Sequence, residues 1–217
     1  MIRAVILDFD GVIVDSVDIK SQAFVHLFRG YPEKIKQQIV KLHVTNSGLP
    51  RYEKFKIIYE RILDRMMTDE EAEKLAAEFS RFCIGKIAAA PYIGGAYEFI
   101  STYHRAYSLY LASSTPPAEL QAIVKRRGIQ GYFKGVYGTP PAKVEACRRI
   151  IEKEALSPNN TVLVGDSLTD LEASRQCGLH FIARLDQSSK DPLLQERLEF
   201  KLADLINLHE FLITNFR

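Results

Sequence analysis

Residues 2–11 of the chain, Ile-Arg-Ala-Val-Ile-Leu-Asp-Phe-Asp-Gly, decide the fold. Residues 2–7 form a short apolar run, which is typical of a strand buried on both faces. The run ends directly in Asp8, Asp10 and Gly11. This stretch therefore predicts a buried strand with reactive side chains at its carboxyl end.

Further apolar runs have the same strand character, with helical patterns between them. They are residues 107–112, 135–137, 161–164 and 181–185. Buried strands that alternate with helices imply a parallel sheet joined by right-handed crossovers. The predicted fold class is therefore α/β, with a doubly wound, Rossmann-like parallel sheet.

Residues 17–90 interrupt this alternation, because they contain no convincing strand. Phe24 and Phe28 recur at helical spacing, and Thr68 with Glu71 forms a capping-box signature. A crossover between neighbouring strands usually needs a single helix, so we expect an inserted all-helical domain. The predicted division is a core of residues 1–15 and 91–217 and an inserted domain of residues 16–90.

Composition excludes several classes of protein. The chain has 217 residues, 47% of them hydrophobic, and a net charge of +2, which is too mild for a nucleic-acid groove. The first apolar run is too short for a signal peptide or a membrane span. Cys83, Cys147 and Cys177 lack disulfide or zinc spacing and are interpreted as reduced, structural thiols. We expect a cytoplasmic protein with neither nucleic acid nor membrane as a partner.

Acidic side chains follow two of the predicted strands. Asp8 and Asp10 come after the first strand, and Asp166 and Asp170 after the fourth. Ligands of parallel α/β sheets bind beyond the carboxyl ends of the strands, and carboxylates gathered there repel one another unless a cation lies between them. Oxygen ligands alone favour Mg²⁺ over zinc, and Mg²⁺ commonly binds a phosphate oxygen as well. The sequence therefore predicts a magnesium site and a phosphate-ester substrate.

The same positions suggest roles in catalysis. The Asp8 carboxylate is the candidate nucleophile towards phosphorus, and Asp10, on the same face of an extended chain, is the candidate general acid and base. Gly11 keeps backbone N–H groups accessible to the phosphoryl group. Ser113 is the candidate hydrogen-bond donor to the phosphoryl oxygens, and Lys143 balances their charge.

Three segments carry a family resemblance. Residues 8–16, Asp-Phe-Asp-Gly-Val-Ile-Val-Asp-Ser, resemble the first motif of the haloacid dehalogenase superfamily of phosphatases. Residues 109–113, Leu-Tyr-Leu-Ala-Ser, resemble the second motif, and residues 164–170, Val-Gly-Asp-Ser-Leu-Thr-Asp, the fourth. Gly178 fits the helix end that follows it. The chain is similar to the branch of phosphoglycolate phosphatase and β-phosphoglucomutase.

The resemblance implies a set of roles. Asp8 is the nucleophile and Asp10 the general acid and base, while Asp166 and Asp170 hold Mg²⁺ together with Asp8 and the backbone carbonyl of Asp10. The phosphate-binding set is Gly11, Ser113, Ser114 and Lys143. The inserted helices become a cap that selects the substrate.

The resemblance thus implies a capped phosphatase of a small phosphorylated metabolite, expected as a monomer or weak homodimer. One alternative is a phosphosugar mutase with the same motifs. A second is a non-catalytic phosphate-sensing or partner-binding protein. A dehalogenase is less expected, because that branch lacks the second aspartate of the first motif.

The third motif departs from the family pattern. Relatives place its lysine directly before Pro-x-Pro, where this chain has Thr139. Thr139 is predicted as an N-cap with Pro140 at the first helical position, which puts Lys143 about one turn into the helix. Lys143 is preferred as the motif lysine, and Lys134 is the fallback.

Helix capping offers a simpler interpretation of several candidates. Ser113 and Ser114 precede a predicted helix start, and Asp170 is placed to cap a helix beginning near Leu171. Asp15 and Ser16 either lie at the hinge into the inserted domain or cap its first helix, and capping is the preferred interpretation.

The remaining segments carry weaker signals. Residues 46–51 break the helical pattern of the inserted domain, so Arg51 is a candidate to clamp a second anionic group of the substrate, with a solvated loop as the alternative. The histidines have no metal-binding spacing, and residues 198–211 show an amphipathic, structural pattern.

Overall fold

The computed structural model describes residues 1–185 and 192–216. Its strands are β1 Ala4–Leu7, β2 Ser108–Ala112, β3 Gly135–Tyr137, β4 Thr161–Gly165, β5 His180–Arg184 and β6 Phe200–Leu202. They form one parallel sheet in the order β3-β2-β1-β4-β5-β6. The predicted doubly wound α/β fold is confirmed, and the predicted strands lie within two residues of the observed ones.

One strand was not predicted. Residues 200–202 lie in the segment interpreted as amphipathic, yet they form the edge strand β6 beside β5. Three residues are too few to show the alternation of a strand.

The helices divide into two groups. The inserted group, called the cap below, consists of α1 Val17–Leu27, α2 Glu33–Thr45, α3 Arg51–Arg61 and α4 Asp69–Ala89. The core helices are α5 Ala96–Tyr103, α6 Pro117–Arg126, α7 Lys143–Lys153, α8 Leu168–Cys177 and α9 Leu208–Asn215. Within the described residues, no helix is long and apolar enough to cross a membrane.

Alternate side chains of β1 lie on opposite faces of the sheet. Val5 and Leu7 belong to the buried cluster that includes α5, α6 and α9, whereas Ala4 and Ile6 pack with α7 and α8. All four side chains are fully buried. The continuous apolar run therefore reflects a strand covered by helices on both faces.

The cap has an aromatic core of its own. The rings of Phe24, Phe55 and Phe79 meet edge to face, with centroid separations of 5.2 to 6.2 Å. The predicted capping box is present at the start of α4, where Thr68 Oγ1 accepts from the Glu71 N–H at 3.2 Å. The cap is thus a packed helical unit inserted after β1.

The two chain segments that join cap and core run side by side. Val14 forms an antiparallel bridge with Tyr92, and the Asp15 N–H donates to the Pro91 carbonyl at 3.0 Å. Arg127, directly after α6, donates to three carbonyl oxygens at the end of α4. The predicted domain limits at residues 15 and 90 stay a prediction, and this paired connection lies beside both.

Candidate active site

The carboxyl ends of β1 and β4 bring three carboxylates together. Asp8 follows β1, Asp166 follows β4, and Asp170 is the third residue of α8. Oxygens of these three groups lie within 4.8 Å of one another. Because β1 and β4 are adjacent and parallel, their ends meet at one edge of the sheet. Three of the four acidic residues predicted to converge therefore do so, and Asp10 is the exception.

Lys143 lies between two of these carboxylates. Its Nζ is 2.5 Å from Asp170 Oδ1 and 3.1 Å from Asp8 Oδ2, and its side chain is buried. Burial alone lowers the pKa of an ammonium group, but the carboxylates of Asp170 and Asp8 raise the pKa of Lys143 above its usual value. Lys134, the fallback, is exposed and precedes β3, which puts it at the opposite edge of the sheet.

The predicted start of α7 is wrong. The helix begins at Lys143 itself with Ala142 at the N-cap, so Thr139 is not its cap and Lys143 is not one turn inside. Thr139 and Pro140 each precede a proline, and this disfavours helical backbone at both positions. Lys143 consequently points from the first helical position towards the carboxylates.

The surroundings of Asp8 oppose its negative charge. Burial raises its pKa to about 7, and the neighbouring carboxylates of Asp170 and Asp10 add to this, although Lys143 and the Phe9 N–H act in the opposite direction. The Phe9 N–H donates to Asp8 Oδ1 at 2.7 Å.

A set of three carboxylates without histidine or cysteine matches the oxygen ligands that Mg²⁺ prefers.

Gly11 is required by the shape of this loop. Its φ of 78° lies in the left-handed region, and a Cβ at this position would overlap the Asp166 carboxylate. The β1 loop can therefore approach the β4 loop closely only with glycine at this position.

Asp10 faces the cap instead of the carboxylate group. Its oxygens accept hydrogen bonds from Ser16 Oγ at 2.6 Å, Lys20 Nζ at 2.6 Å and Thr115 Oγ1 at 3.0 Å. Burial by itself raises the Asp10 pKa, but the Lys20 charge and these hydrogen bonds lower it below its usual value. Asp10 is thus held as a carboxylate.

Lys20 and Thr115 were missed in the sequence. Lys20 lies four residues after Ser16, so the two share one face at the start of α1. That spacing is the signal that connects Lys20 with the first motif. Thr115 had no comparable signal, because its role depends on how the loop after β2 turns.

The capping interpretations are mostly wrong. α6 begins at Pro117, so neither Ser113 nor Ser114 caps it. The Ser113 hydroxyl oxygen accepts from the Thr115 N–H at 3.1 Å, whereas Ser114 Oγ donates to the Gly48 carbonyl at 2.5 Å. Residues 46–51 therefore do reach the core beside the site.

The two remaining capping candidates behave differently. Ser16 occupies the N-cap position of α1, but its side chain makes no capping bond and donates to Asp10. α8 begins at Leu168 instead of near Leu171, and Asp170 accepts from the Ser167 N–H at 3.2 Å. Asp170 thus supports the helix start while it also belongs to the carboxylate group.

Arg51, the candidate clamp for a second anionic group, is already paired with a carboxylate of the chain itself. It is the first residue of α3 and is buried, with its Nη2 at 2.9 and 2.8 Å from the two carboxylate oxygens of Glu119 in α6. Ser80 of α4 joins the pair through Nη1 of Arg51 at 2.8 Å. The guanidinium is therefore already engaged in a cap–core ion pair.

A group of three carboxylates beside a buried lysine, on the carboxyl edge of a doubly wound sheet, defines the class. The chain belongs to the haloacid dehalogenase-like hydrolase family, whose model matches residues 5–184. It is therefore a hydrolase by family, and the predicted resemblance is confirmed.

Individual relatives agree with this class. The chain is 26% identical over 193 residues to the phosphoglycolate phosphatase of Synechococcus elongatus, covering 83% of this chain and 82% of that protein. The β-phosphoglucomutase structure from Clostridium difficile has a TM-score of 0.78 at 16% identity, covering 100% of this chain and 97% of that one. A magnesium-bound hydrolase of the family from Bacillus subtilis has a TM-score of 0.74 at 18% identity, covering 98% and 99%. The two structures share the fold with this chain.

Proposed function

We propose that this hydrolase cleaves a small phosphate monoester in a magnesium-dependent reaction with Asp8 as the nucleophile. The observation that carries the proposal is the group of Asp8, Asp166 and Asp170, of which Asp8 and Asp170 are buried and in contact with the Lys143 ammonium. This arrangement suits a phosphoryl group, which needs a nucleophile and positive charge at the same point. The name of the Synechococcus relative supports the same substrate class.

The first half of the reaction forms an aspartyl-phosphate. A carboxylate oxygen of Asp8 attacks phosphorus, and the bond from phosphorus to the leaving oxygen breaks. Lys143 and the Ser113 hydroxyl stabilise the charge that spreads over the phosphoryl oxygens. Asp10 is a carboxylate in the free chain, so it takes up the proton of the phosphate monoester monoanion as the substrate binds and then transfers that proton to the leaving oxygen.

The second half releases phosphate. Asp10, now a carboxylate, takes a proton from water, and the resulting hydroxide attacks phosphorus and frees Asp8. The hydrogen bonds from Lys20, Ser16 and Thr115 hold Asp10 in the carboxylate form that this step requires. Asp8, Asp166 and Asp170 would hold Mg²⁺, which supplies positive charge to the phosphoryl oxygens when bound.

The test is phosphate release from a panel of sugar and organic acid phosphates, with Mg²⁺ and with a chelator. We expect turnover only with Mg²⁺, and rapid-quench mass spectrometry should trap one phosphoryl group on Asp8. Asp8→Asn should abolish both signals, while Asp18→Asn, which changes an exposed aspartate of α1, should retain them. Unchanged turnover in Asp8→Asn would refute the mechanism.

The same panel separates the alternatives. Isomerisation without net phosphate release would favour a phosphosugar mutase over the proposed phosphatase. Phosphate binding without turnover of any ester would favour a sensing protein. A cytoplasmic location and a monomeric or weakly dimeric state stay predictions.

A further inference from the structure

Two of the three cysteines meet where α7 packs against α8. Cys147 lies in the second turn of α7 and is fully buried, and Cys177 is the last residue of α8. The Cys177 thiol donates to the Val144 carbonyl oxygen of α7 at 3.6 Å. Val144 and Cys147 are three residues apart, so they are neighbours on one face of that helix. The Cys177 sulfur therefore lies against the turn of α7 that carries Cys147.

The three thiols differ in their surroundings, although all of them are free. Cys147 belongs to the apolar cluster between these helices and the sheet, and Cys177 packs against the same cluster. Cys177 is partly exposed to solvent. Cys83, in contrast, is fully buried in the cap, and burial raises its pKa to about 12. The core thus presents one accessible thiol with a second thiol behind it.

The contacts of Cys177 favour its thiolate. A hydrogen bond from Cys147 lowers the pKa of Cys177 to about 7, and the Arg148 charge acts in the same direction, against burial and the Glu145 charge. The same hydrogen bond, together with burial, raises the pKa of Cys147 above its usual value. Cys177 is therefore the thiol that oxidants meet in its reactive form, while Cys147 keeps its proton.

We propose that Cys147 and Cys177 form a reversible oxidation site, at which a small peroxide joins α7 to α8 through a disulfide bond. A disulfide requires sulfurs that already face each other, because two packed helices shift little. The contact of Cys177 with the turn that carries Cys147 meets this requirement. The bond itself does not depend on the proposed function.

The reaction with hydrogen peroxide is a two-electron oxidation. The Cys177 thiolate attacks one peroxide oxygen, the O–O bond breaks, and the products are a Cys177 sulfenic acid and hydroxide, which takes a proton to become water. The Cys147 sulfur then attacks the Cys177 sulfur and the S–O bond breaks. The proton of Cys147 leaves with the hydroxyl group as a second water. Two thiols are oxidised to one disulfide, and one peroxide is reduced to two waters.

The disulfide would join the two helices that carry Lys143 and Asp170. Lys143 lies one turn before Cys147 in α7, and its Nζ contacts Asp170 of α8. In the proposed mechanism the Lys143 ammonium turns from these carboxylates to the phosphoryl oxygens. A covalent bond between the helices restricts that adjustment, so we expect oxidation to slow turnover. This effect, unlike the bond, rests on the proposed function.

The experiment treats the full chain with hydrogen peroxide, blocks the remaining thiols with N-ethylmaleimide and maps the tryptic peptides without reduction. The three cysteines lie in separate tryptic peptides, residues 82–86, 144–148 and 176–184. We expect the intact chain to lose two hydrogen atoms and the peptide of residues 144–148 to be linked to that of residues 176–184. Dithiothreitol should separate the two peptides again.

Three variants assign the roles of the thiols. Cys147→Ala should prevent the link and leave a sulfenic acid on Cys177, which dimedone traps. Cys177→Ala should prevent both products, and Cys83→Ala, the matched control, should retain the link. Peptides that stay unlinked after peroxide treatment, or a link that involves Cys83, overturn the inference. If a variant does not fold, the peptide map of the unmodified chain still decides it.

Turnover of a phosphate ester provides a separate measurement. The oxidised chain should turn over at least about 5-fold more slowly than the reduced chain, and dithiothreitol should restore the rate. The rate of Cys177→Ala should not respond to peroxide. An unchanged rate with the disulfide formed removes the effect on Lys143 and leaves the oxidation site. Absence of turnover in both forms refutes the phosphatase, whereas the peptide map still decides the oxidation site.

Discussion

Asp8 and Asp10 are two residues apart in the chain, yet they lie in opposite surroundings. Asp8 belongs to a group built wholly from core elements, and burial raises its pKa to about 7. Asp10 accepts hydrogen bonds from Ser16 and Lys20, at the entry to the cap and inside it, and its pKa is lowered.

In the proposed mechanism, this difference separates two tasks. The phosphoryl side of the site is assembled by the sheet, so it is complete without the cap. The proton-transfer side is completed by α1, because Lys20 contacts Asp10 only where the cap meets the core. Contact between the cap and the core therefore affects the hydrogen bonds of Asp10 more than those of Asp8.

The largest expected effect distinguishes the two aspartates directly. Asp8→Asn removes the nucleophile and should lower kcat by at least about 10⁴-fold, with no phosphoenzyme trapped. Asp10→Asn should lower kcat by about 10²- to 10⁴-fold while a slowly formed phosphoenzyme persists. Rapid-quench measurements check both, and a phosphoenzyme in Asp8→Asn would remove the distinction.

The next effect concerns the ion pair that joins the two regions. Glu119→Ala leaves the Arg51 guanidinium buried without its carboxylate and should lower the free energy of unfolding by about 3–5 kcal/mol. Urea denaturation measures this, with Glu152→Ala, an exposed position of α7, as the control. Replacing both partners, as Arg51→Met with Glu119→Leu, should recover much of the loss. A loss no greater than that of the control would show that the Arg51–Glu119 pair contributes nothing to the free energy of unfolding.

Much of the core side could be predicted from sequence because strands and motifs coincide there. The run of residues 2–7 ends at Asp8, and the parallel neighbour β4 ends at Asp166, so topology alone brings the two together. Lys143 was predicted to reach these carboxylates and it does, although the start of its helix was predicted wrongly. The two prolines displaced that start by a few residues without moving the lysine away from the site.

The cap side could not be predicted in the same way. Arg51 was interpreted as a free clamp because its partner Glu119 lies 68 residues away on another element, and no local spacing connects them. Lys54 and His43 resemble ordinary helix residues in sequence, and only the packing of α2 against α3 buries them together. Side-chain roles that depend on tertiary packing leave no periodic signal.

A smaller effect tests whether the cap completes the surroundings of Asp10. Lys20→Met removes a charged hydrogen-bond donor at 2.6 Å and should lower kcat/KM by about 10- to 100-fold. Phosphorylation of Asp8 should remain detectable, because the core group is intact. Lys74→Met, an exposed lysine of α4, is the control. A loss as large as that of Asp8→Asn would mean that Lys20 acts on the core side as well.

The smallest effect is a pH dependence of stability that arises in the cap. The pKa of His43 is about 2 in the folded chain against an ordinary value of 6.5, because burial and the nearby Lys54 and Lys20 oppose its protonation. Below pH 6.5 the unfolded chain therefore binds a proton that the folded chain does not, and the free energy of unfolding falls as the pH falls.

The contribution of one such group is at most about 1.4 kcal/mol per pH unit. Urea denaturation between about pH 7 and about pH 5 should accordingly show a steeper loss for the unmodified chain than for His43→Gln. Other titrating groups are shared by the two proteins, so the difference between their slopes isolates His43. Parallel slopes would mean that the imidazole gains a proton without leaving the fold. The folded cap would then accept a positive charge on His43 at no cost relative to water. The contact between His43 Nδ1 and the buried Lys54 ammonium argues against that outcome.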